Sequence, residues 1–160
     1  MRVISWNVQG LGGPQSTRFR GKMCQELQLA LVGGRIDILM LQEHHLSESR
    51  IRRCGRLLQG QSETFWSTGF GTASAQGGVC IAIAETLCSA IEDRGIVVPG
   101  RAQWVIMRIG EDRIGFLKVY APNVASGRAE FWTRLGNSLP SADHWCVGGD
   151  FNMLEDPEDR

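Results

Sequence analysis

Short apolar runs recur along the whole chain, and most of them end at glycine, proline or a cluster of polar residues. The run IDILML at positions 36–41 is almost wholly apolar, which is typical of a strand buried on both faces. Similar runs predict further strands at residues 2–8, 63–68, 78–84, 103–109, 113–120 and 145–147. The strands between residues 63 and 120 follow one another without a predicted helix, and this spacing favours antiparallel pairing.

Two segments have the apolar spacing of amphipathic helices. Between residues 17 and 31 apolar residues recur every four positions, and Gly33-Gly34 marks the end of the pattern. Residues 126–139 predict a second helix, with Trp132 and Leu135 on one face. The basic segment 47–58 is interpreted as a helix or an ordered loop. The order of elements, β-α-β, then several strands, then α-β, predicts a mixed α/β protein built in layers.

Composition narrows the class of protein further. The chain has 160 residues, of which 42% are hydrophobic, so we expect one folded domain over residues 1–160. Its net charge is zero, which removes the plainest signature of a nucleic-acid-binding protein. The total conceals an uneven distribution, however. Basic residues outnumber acidic residues over positions 1–60, and the reverse holds over positions 61–160.

Cysteine use and hydropathy indicate a compartment. The five cysteines include no C-x-x-C pair, which favours reduced thiols and predicts an intracellular protein of the cytoplasm or the nucleus. No apolar segment has the length of a signal peptide or a membrane span, so we predict no association with membranes.

Polar groups that bind cations or phosphates follow four of the predicted strands. In chain order they are Asn7, Glu43, Tyr120 with Asn123, and Asp150 with Asn152. Because the strands of one sheet bring their ends to a common edge, we expect these groups to converge although they lie far apart in the sequence. Carboxylate and amide oxygens are the ligands that Mg²⁺ prefers. The pattern therefore indicates a site for a hard divalent cation.

Other kinds of site fit the sequence less well. A dinucleotide-binding loop after the first strand would need glycine at position 15, which is Gln15. Gly21-Lys22 is followed by Met23 rather than by serine or threonine, which excludes a P-loop. The histidines lack the spacing of zinc ligands, and no G-x-S-x-G motif is present for a serine nucleophile.

Five segments follow one another in a recognisable order: SWNVQGLGG, ILMLQEHHL, GGV with an apolar strand, VYAPN, and GGDFN followed by Pro157, Asp159 and Arg160. Within them, W-N, L-Q-E and G-D-F-N form a specific signature. Together they resemble the endonuclease/exonuclease/phosphatase superfamily, the DNase I-like proteins. The chain is most similar to the N-terminal endonuclease domain of plant non-LTR (LINE-type) retrotransposons. The resemblance implies a four-layer α/β sandwich, in which two packed mixed β-sheets are flanked by helices. It also implies hydrolysis of phosphodiester or phosphomonoester bonds with Mg²⁺ or Mn²⁺ as cofactor.

The same resemblance implies roles for individual residues. Glu43 would be the principal metal ligand, with Asn7 beside it. Tyr120 would contact the scissile phosphate, whereas Asp150 and Asn152 would orient and deprotonate the attacking water. Two further residues, Asn123 and Arg160, would lie on the substrate-binding side.

The chain also departs from the family pattern. Members of the family continue after G-D-F-N to a Ser-Asp-His motif, whereas this chain ends eight residues after Asn152 and contains no such triplet. We therefore expect the C-terminal part of the domain to be missing, sheet edges to be left open, and little Mg²⁺-dependent nicking by this chain alone.

Three functional interpretations stay open. The first is a DNA-nicking endonuclease whose intact parent carries a reverse transcriptase in the same polyprotein. The second is a non-catalytic remnant of a decayed retroelement, with at most weak binding of nucleic acid. The third is a phosphatase that acts on lipid or nucleotide phosphates, because the superfamily uses one core site for many substrates.

Most basic and aromatic residues outside the motifs are interpreted as surface or core residues. The stretch Arg50 to Arg56 is typical of a solvated helix face, although it would also suit phosphate contacts. Most aromatic residues have the periodicity of core positions, namely Trp104, Phe116, Trp132 and Trp145. Trp66 and Phe70, near a glycine-rich segment, are the better candidates for contact with nucleic acid.

Overall fold

The computed structural model of the chain describes residues 1–11, 33–52, 62–69 and 77–153. Residues 48–52 are helical. The other elements are the strands β1 (Val3–Asn7), β2 (Ile38–Gln42), β3 (Ser62–Ser67), β4 (Val79–Ala84), β5 (Ile91–Val98), β6 (Ala102–Ile109), β7 (Asp112–Tyr120) and β8 (His144–Asp150), and the helices α1 (Glu85–Cys88) and α2 (Ala125–Ser138). The predicted helix over residues 17–31, the basic residues Arg53 and Arg56, Phe70 and Arg160 all lie outside the described residues.

The strands form two mixed sheets of four strands each. The first sheet has the order β1-β2-β4-β3, and the second has the order β5-β6-β7-β8. In each sheet one pair is parallel, β1 with β2 and β7 with β8, and the remaining pairs are antiparallel. The two mixed sheets of the α/β sandwich predicted above are confirmed, and so is the antiparallel pairing of β3 with β4 and of β6 with β7. The expected antiparallel succession from residues 78–84 to residues 103–109 is wrong, because β4 and β6 belong to different sheets.

Strand β5 was not predicted. Its middle residues Glu92, Asp93 and Arg94 interrupt the apolar pattern, and they are exposed because β5 is an edge strand of the second sheet. Glu92 accepts hydrogen bonds from Arg108 and Arg113 at 2.7 and 2.9 Å, so charged cross-strand pairs replace apolar packing on this face.

The core forms three layers, one between the sheets and one on the outer face of each sheet. Between the sheets, Met40 and Ile81 of the first sheet pack with Phe116 and Met107 of the second. On the other face of the second sheet, Leu117 and Val119 pack with residues of α2 such as Phe131. The predicted helix over residues 126–139 corresponds to α2, which covers the second sheet. Within the described residues, no helix is long and apolar enough to cross a membrane.

Strands β1 and β8 each form one edge of their sheets and contact each other. Large apolar side chains are exposed on these strands or directly after β8, among them Ile4, Trp6, Val147 and Phe151. The thiols of the described cysteines, Cys80, Cys88 and Cys146, are free. Because β1 pairs with β2, β8 pairs with β7, and β1 contacts β8, the ends of these four strands meet at one corner of the sandwich, where the predicted polar groups lie.

Candidate active site

Three of the predicted side chains meet through the amide of Asn7. Its Nδ2 donates to Oε1 of Glu43 at 2.6 Å and to Oδ2 of Asp150 at 3.1 Å. The strand registers explain the meeting, because Asn7 pairs with Gln42 across the first sheet and Tyr120 pairs with Asp150 across the second. The predicted convergence of strand ends thus brings together groups that are 143 residues apart in sequence.

The orientation of the Asn7 amide is set by a local hydrogen bond. The backbone N–H of Gln9 donates to Oδ1 of Asn7 at 3.0 Å, so the amide nitrogen is turned toward the two carboxylates. In this arrangement Asn7 is a donor to Glu43 and Asp150. Its oxygen would reach a cation only after turning away from Gln9.

Glu43 lies in a strained turn that follows β2. Its φ angle is 55°, in the left-handed region that non-glycine residues rarely adopt. The backbone holds this conformation through hydrogen bonds on both sides. The N–H of Gly10 donates to the Glu43 carbonyl at 2.7 Å, and the N–H of His44 donates to the carbonyl of Gly78 at 3.3 Å.

His44 anchors the same turn from inside the protein. Its side chain is fully buried, its Nδ1 accepts the N–H of Leu46 at 3.0 Å, and its Nε2 lies 3.2 Å from the carbonyl oxygen of Ser67. The Leu46 bond requires an unprotonated Nδ1, so Nε2 carries the proton and donates to Ser67. Burial lowers the pKa of His44 to about 4, and the carbonyl of Ser67 acts in the opposite direction. The imidazole is therefore a neutral structural anchor for the Glu43 turn.

Tyr120 contributes a phenol from the end of β7. The residue is 8% exposed, and the negative charge of the Glu43 carboxylate acts on its hydroxyl. Burial raises the pKa of Tyr120, and the negative charges of Glu43 and Asp150 raise it further, against the opposing effect of Arg101. The guanidinium of Arg101 lies over the ring, with its carbon 5.2 Å from the centroid. The phenol is therefore a neutral hydrogen-bond donor near pH 7.

Asp150 and Asn152 form a tight turn at the end of β8. The N–H of Asn152 donates to Oδ1 of Asp150 at 3.0 Å, while Asn7 holds the other carboxylate oxygen. Asn152 has a φ of 48°, and its Nδ2 donates to the carbonyl of Ala121 at 2.7 Å and to Oδ1 of Asn123 at 3.1 Å. Asn123 is thus placed beside the site, where it supports the turn.

Arg128 of α2 was not predicted as part of this corner. Its Nη1 donates to the carbonyls of Asn123 and Asn152 at 3.1 and 2.9 Å, so it ties the turn after β7 to the turn after β8. The sequence offered one indication of this role, because Arg128 lies at the start of the predicted helix, shortly after the VYAPN motif.

Lys118 was also missed, and it lies directly below the corner. Its Nζ donates to Oγ of Ser5 at 2.8 Å and to Oε1 of Gln42, and the residue is fully buried. Burial lowers the pKa of Lys118 to about 7, and the charges of Asp150 and Cys80 oppose the effect. The sequence signal was a lysine inside the apolar run IGFLKVY.

An open pocket of about 560 Å³ lies over this corner. Its lining residues include Asn7, Asp150 and Asn152, together with Phe151, whose ring stacks on Trp132 with centroids 5.9 Å apart. The pocket exposes oxygen atoms of carboxylate and amide side chains to solvent.

The chemistry of these donors fits a hard divalent cation. Glu43 and Asp150 both accept from one amide nitrogen, so two negative charges lie close together on the same edge. A cation would offset this repulsion, and oxygen donors are those that Mg²⁺ and Mn²⁺ prefer. Over the described ranges, no cluster of three or more His, Cys, Asp or Glu side chains is arranged as a metal site. Among the described residues, Glu43 and Asp150 are the side chains that could contact a cation, and water or substrate oxygens would complete its coordination.

Trp66 and Arg52, which the sequence analysis considered as contacts for nucleic acid or phosphate, lie away from the corner. Trp66 is partly buried with its ring edge-on to His44 at 5.1 Å, which is a packing role. Arg52 is exposed on the helical segment at 48–52 and lies 3.9 Å from Glu48, as the interpretation of a solvated face expects.

Comparison with solved structures gives similar folds at low sequence identity. TDP2 from Caenorhabditis elegans has a TM-score of 0.62 at 20% identity, over 96% of this chain and 47% of that chain. D. rerio TDP2 complexed with single strand DNA product has a TM-score of 0.65 at 16% identity, over 96% of this chain and 61% of that chain. An AP endonuclease from Archaeoglobus fulgidus has a TM-score of 0.59 at 20% identity, over 99% of this chain and 60% of that chain. The chain spans less than two thirds of the length of these three structures.

Comparison of the amino-acid sequence with protein families establishes the family. The comparison with curated proteins gives no match. Residues 4–160 match the family described as "Endonuclease/Exonuclease/phosphatase family", a range that includes all the strand ends described above. The chain therefore belongs to the endonuclease/exonuclease/phosphatase family.

Proposed function

We propose that the chain is a divalent-metal-dependent phosphodiester hydrolase that nicks DNA, of the retrotransposon endonuclease type. The observation that carries the proposal is the contact of Asn7 with both Glu43 and Asp150, next to the hydroxyl of Tyr120. This arrangement combines two carboxylates, an amide and a neutral phenol, and Asn7 and Asp150 line an open pocket. Those are the groups that hydrolysis of a phosphate diester requires.

Glu43 and Asp150 are the residues that would hold Mg²⁺ or Mn²⁺, with Asn7 beside them. When bound, the cation supplies positive charge that neutralises the non-bridging oxygens of the phosphate. The strained turn at Glu43 supports this role, because backbone strain of this kind is retained where the surrounding structure fixes a side chain for function.

The chain's own residues would orient the reactants. The Asp150 carboxylate is held through both oxygens, by Asn7 and by the N–H of Asn152, so it is pre-oriented to aim a water molecule and accept its proton. The neutral phenol of Tyr120 would donate a hydrogen bond to a phosphate oxygen. Arg128 and Asn123 would hold the turn after β7 and the turn after β8 in fixed positions next to each other.

DNA is the substrate that the similarities favour. One of the similar structures is a TDP2 in complex with single-stranded DNA product, and another is an AP endonuclease. The motif resemblance supports the retrotransposon type, in which a reverse transcriptase belongs to the same polyprotein. A location in the cytoplasm or the nucleus accords with a DNA substrate.

A second candidate is a non-catalytic remnant that binds nucleic acid weakly. The observation that favours it is the small number of acidic ligands among the described residues. This candidate differs from the first in activity and not in fold.

Nicking of supercoiled plasmid with Mg²⁺ distinguishes the two candidates. Glu43→Gln keeps the size of the side chain but removes its charge, and it is expected to reduce nicking at least about a hundredfold. Glu48→Gln is the matched control, because Glu48 is exposed on the helical segment 48–52. Equal nicking by wild type and Glu43→Gln contradicts the proposed site. DNA binding without nicking by wild type supports the remnant.

A further inference from the structure

Lys118 occupies a core position directly beneath the candidate site. Phe116, Lys118 and Tyr120 are alternate residues of β7, so their side chains share one face of the strand. Phe116 packs in the core between the sheets, and Tyr120 reaches the site at the strand end. Lys118 therefore lies between the apolar core and the reacting groups, and its side chain is fully buried.

The ammonium group of Lys118 connects the two sheets. It donates to Oγ of Ser5 on β1 at 2.8 Å and to Oε1 of Gln42 on β2. Ser5 is two residues before Asn7, and Gln42 immediately precedes Glu43. One side chain of the second sheet thus holds both strands of the first sheet that carry site residues.

The backbone makes room for this connection at Gly148. Gly148 pairs with Lys118 across β7 and β8, and it is two residues before Asp150. A Cβ atom at this position would lie 2.6 Å from Cε of Met40 and 3.0 Å from Cβ of Ser5. The close approach of the first sheet to Gly148, next to Lys118, is therefore possible because residue 148 has no side chain.

Packing alone does not account for a lysine at this position. Moving a lysine amino group out of water costs free energy, and an apolar side chain of similar length would fill the space without that cost. Within the described part of the chain, the ion pairs do not include Lys118, whose hydrogen bonds go to the neutral acceptors Ser5 and Gln42. The lysine at this position is therefore explained by the two strands that its hydrogen bonds connect.

We propose that Lys118 is a positioning residue, which fixes the first sheet against the second beneath the site so that Glu43 meets Asp150 in reactive geometry. This inference rests on the proposed function. Lys118 acts through Ser5 and Gln42 and does not touch the substrate. Its loss would let the strand ends drift apart, and a displacement of about 1 Å is enough to cost about a hundredfold in rate.

The test replaces the ammonium and leaves the length of the side chain almost unchanged. Lys118→Met is compared with Gln103→Met, a matched control. Gln103 is also buried and also joins the two sheets, because its Nε2 donates to the carbonyl of Phe65 at 2.8 Å, but it lies away from the site. Ser5→Ala, at a strand edge, removes one of the two acceptors and serves as a second variant that is expected to fold.

Three quantities are measured for each variant: the affinity for Mn²⁺ by calorimetry, kcat and KM for nicking of a labelled DNA duplex, and the midpoint of urea unfolding. We expect Lys118→Met to unfold at the wild-type urea concentration or above it. Its kcat is expected to fall at least about tenfold with KM within about twofold, and its Mn²⁺ affinity to fall about fivefold. Ser5→Ala should change the same quantities in the same direction by less, and Gln103→Met should change only the midpoint.

The outcomes separate this inference from the proposed function. Wild-type kcat and Mn²⁺ affinity in Lys118→Met, with nicking abolished in Glu43→Gln, would overturn the positioning role and leave the function standing. Losses of kcat and Mn²⁺ affinity of the same size in Gln103→Met would also overturn it, because they would show that any buried hydrogen bond between the two sheets has this effect. If Glu43→Gln nicks like wild type, the function fails, and the Mn²⁺ affinity of Lys118→Met still decides the positioning role.

Discussion

Lowering the pH from 7.5 to 5 is expected to destabilise the folded chain, because the buried imidazole of His44 resists protonation. The side chain is fully buried, and the N–H of Leu46 already donates to its Nδ1 at 3.0 Å. A proton on Nδ1 would oppose that N–H and bring a positive charge into the core. Burial accordingly lowers the pKa of His44 from 6.5 to about 4.

The direction and size of the effect follow from this pKa. In the unfolded chain His44 takes up a proton near pH 6.5, whereas in the folded chain it does so only near pH 4. The folded state therefore has its full stability above pH 6.5 and loses it progressively as the pH falls toward 4. The loss from this group amounts to about 2 kcal/mol at pH 5 and about 3 kcal/mol near pH 4.

The assay is urea unfolding followed by tryptophan fluorescence at several pH values between 7.5 and 5. The free energy of unfolding of His44→Gln is expected to depend less on pH than that of wild type, by about 2 kcal/mol over this range. His144→Gln, at the exposed start of β8, is the matched control and should retain the wild-type dependence. If His44→Gln shows the same pH dependence as wild type, the account of His44 as a neutral anchor is wrong.

Two further changes test the supports of the site. Gly78→Ala is expected to destabilise the fold by at least about 3 kcal/mol, because φ is 90° and a Cβ would lie 2.6 Å from Nε2 of His44. Gly110→Ala, with a φ of 66° and open space around it, should cost only about 1 kcal/mol, and equal shifts in the thermal midpoint of the two variants would refute the steric argument. Arg128→Met should lower the nicking rate about tenfold at unchanged Mn²⁺ affinity, because it releases the carbonyls of Asn123 and Asn152. Arg134→Met, on the exposed face of α2, should nick like wild type, and a loss of the same size there would count against the role of Arg128.

The strand ends could be predicted from the sequence because each carries its own signal. Apolar runs that stop at Asn7, Glu43, Tyr120 and Asp150 identify both the strands and the polar groups that follow them. Their meeting required only that the strands share an edge of the sandwich. The hydrogen bonds from Asn7 to the two carboxylates are consistent with that reasoning.

The supports of the site could not be predicted, because they depend on contacts between distant segments. Lys118 has its partners on β1 and β2, and local sequence shows only a charged residue in an apolar run. His44 and His45 are adjacent histidines, and only the fold decides that the first is buried against Trp66. Strand β5 was missed for a related reason, since its charged residues have partners on distant segments: Glu92 accepts from Arg108 of β6, and Arg94 donates to Glu63 of β3.

Binding of Mn²⁺ is the measurement that tests the central claim most directly, namely that Glu43 and Asp150 form a site for a divalent cation. Electron paramagnetic resonance of Mn²⁺ titrated into wild type, Glu43→Gln and Asp150→Asn reports the affinity without any need for catalysis. The account predicts that wild type binds Mn²⁺ at a single site and that each substitution weakens the affinity at least about tenfold. Equal affinity of all three proteins for Mn²⁺ would contradict it.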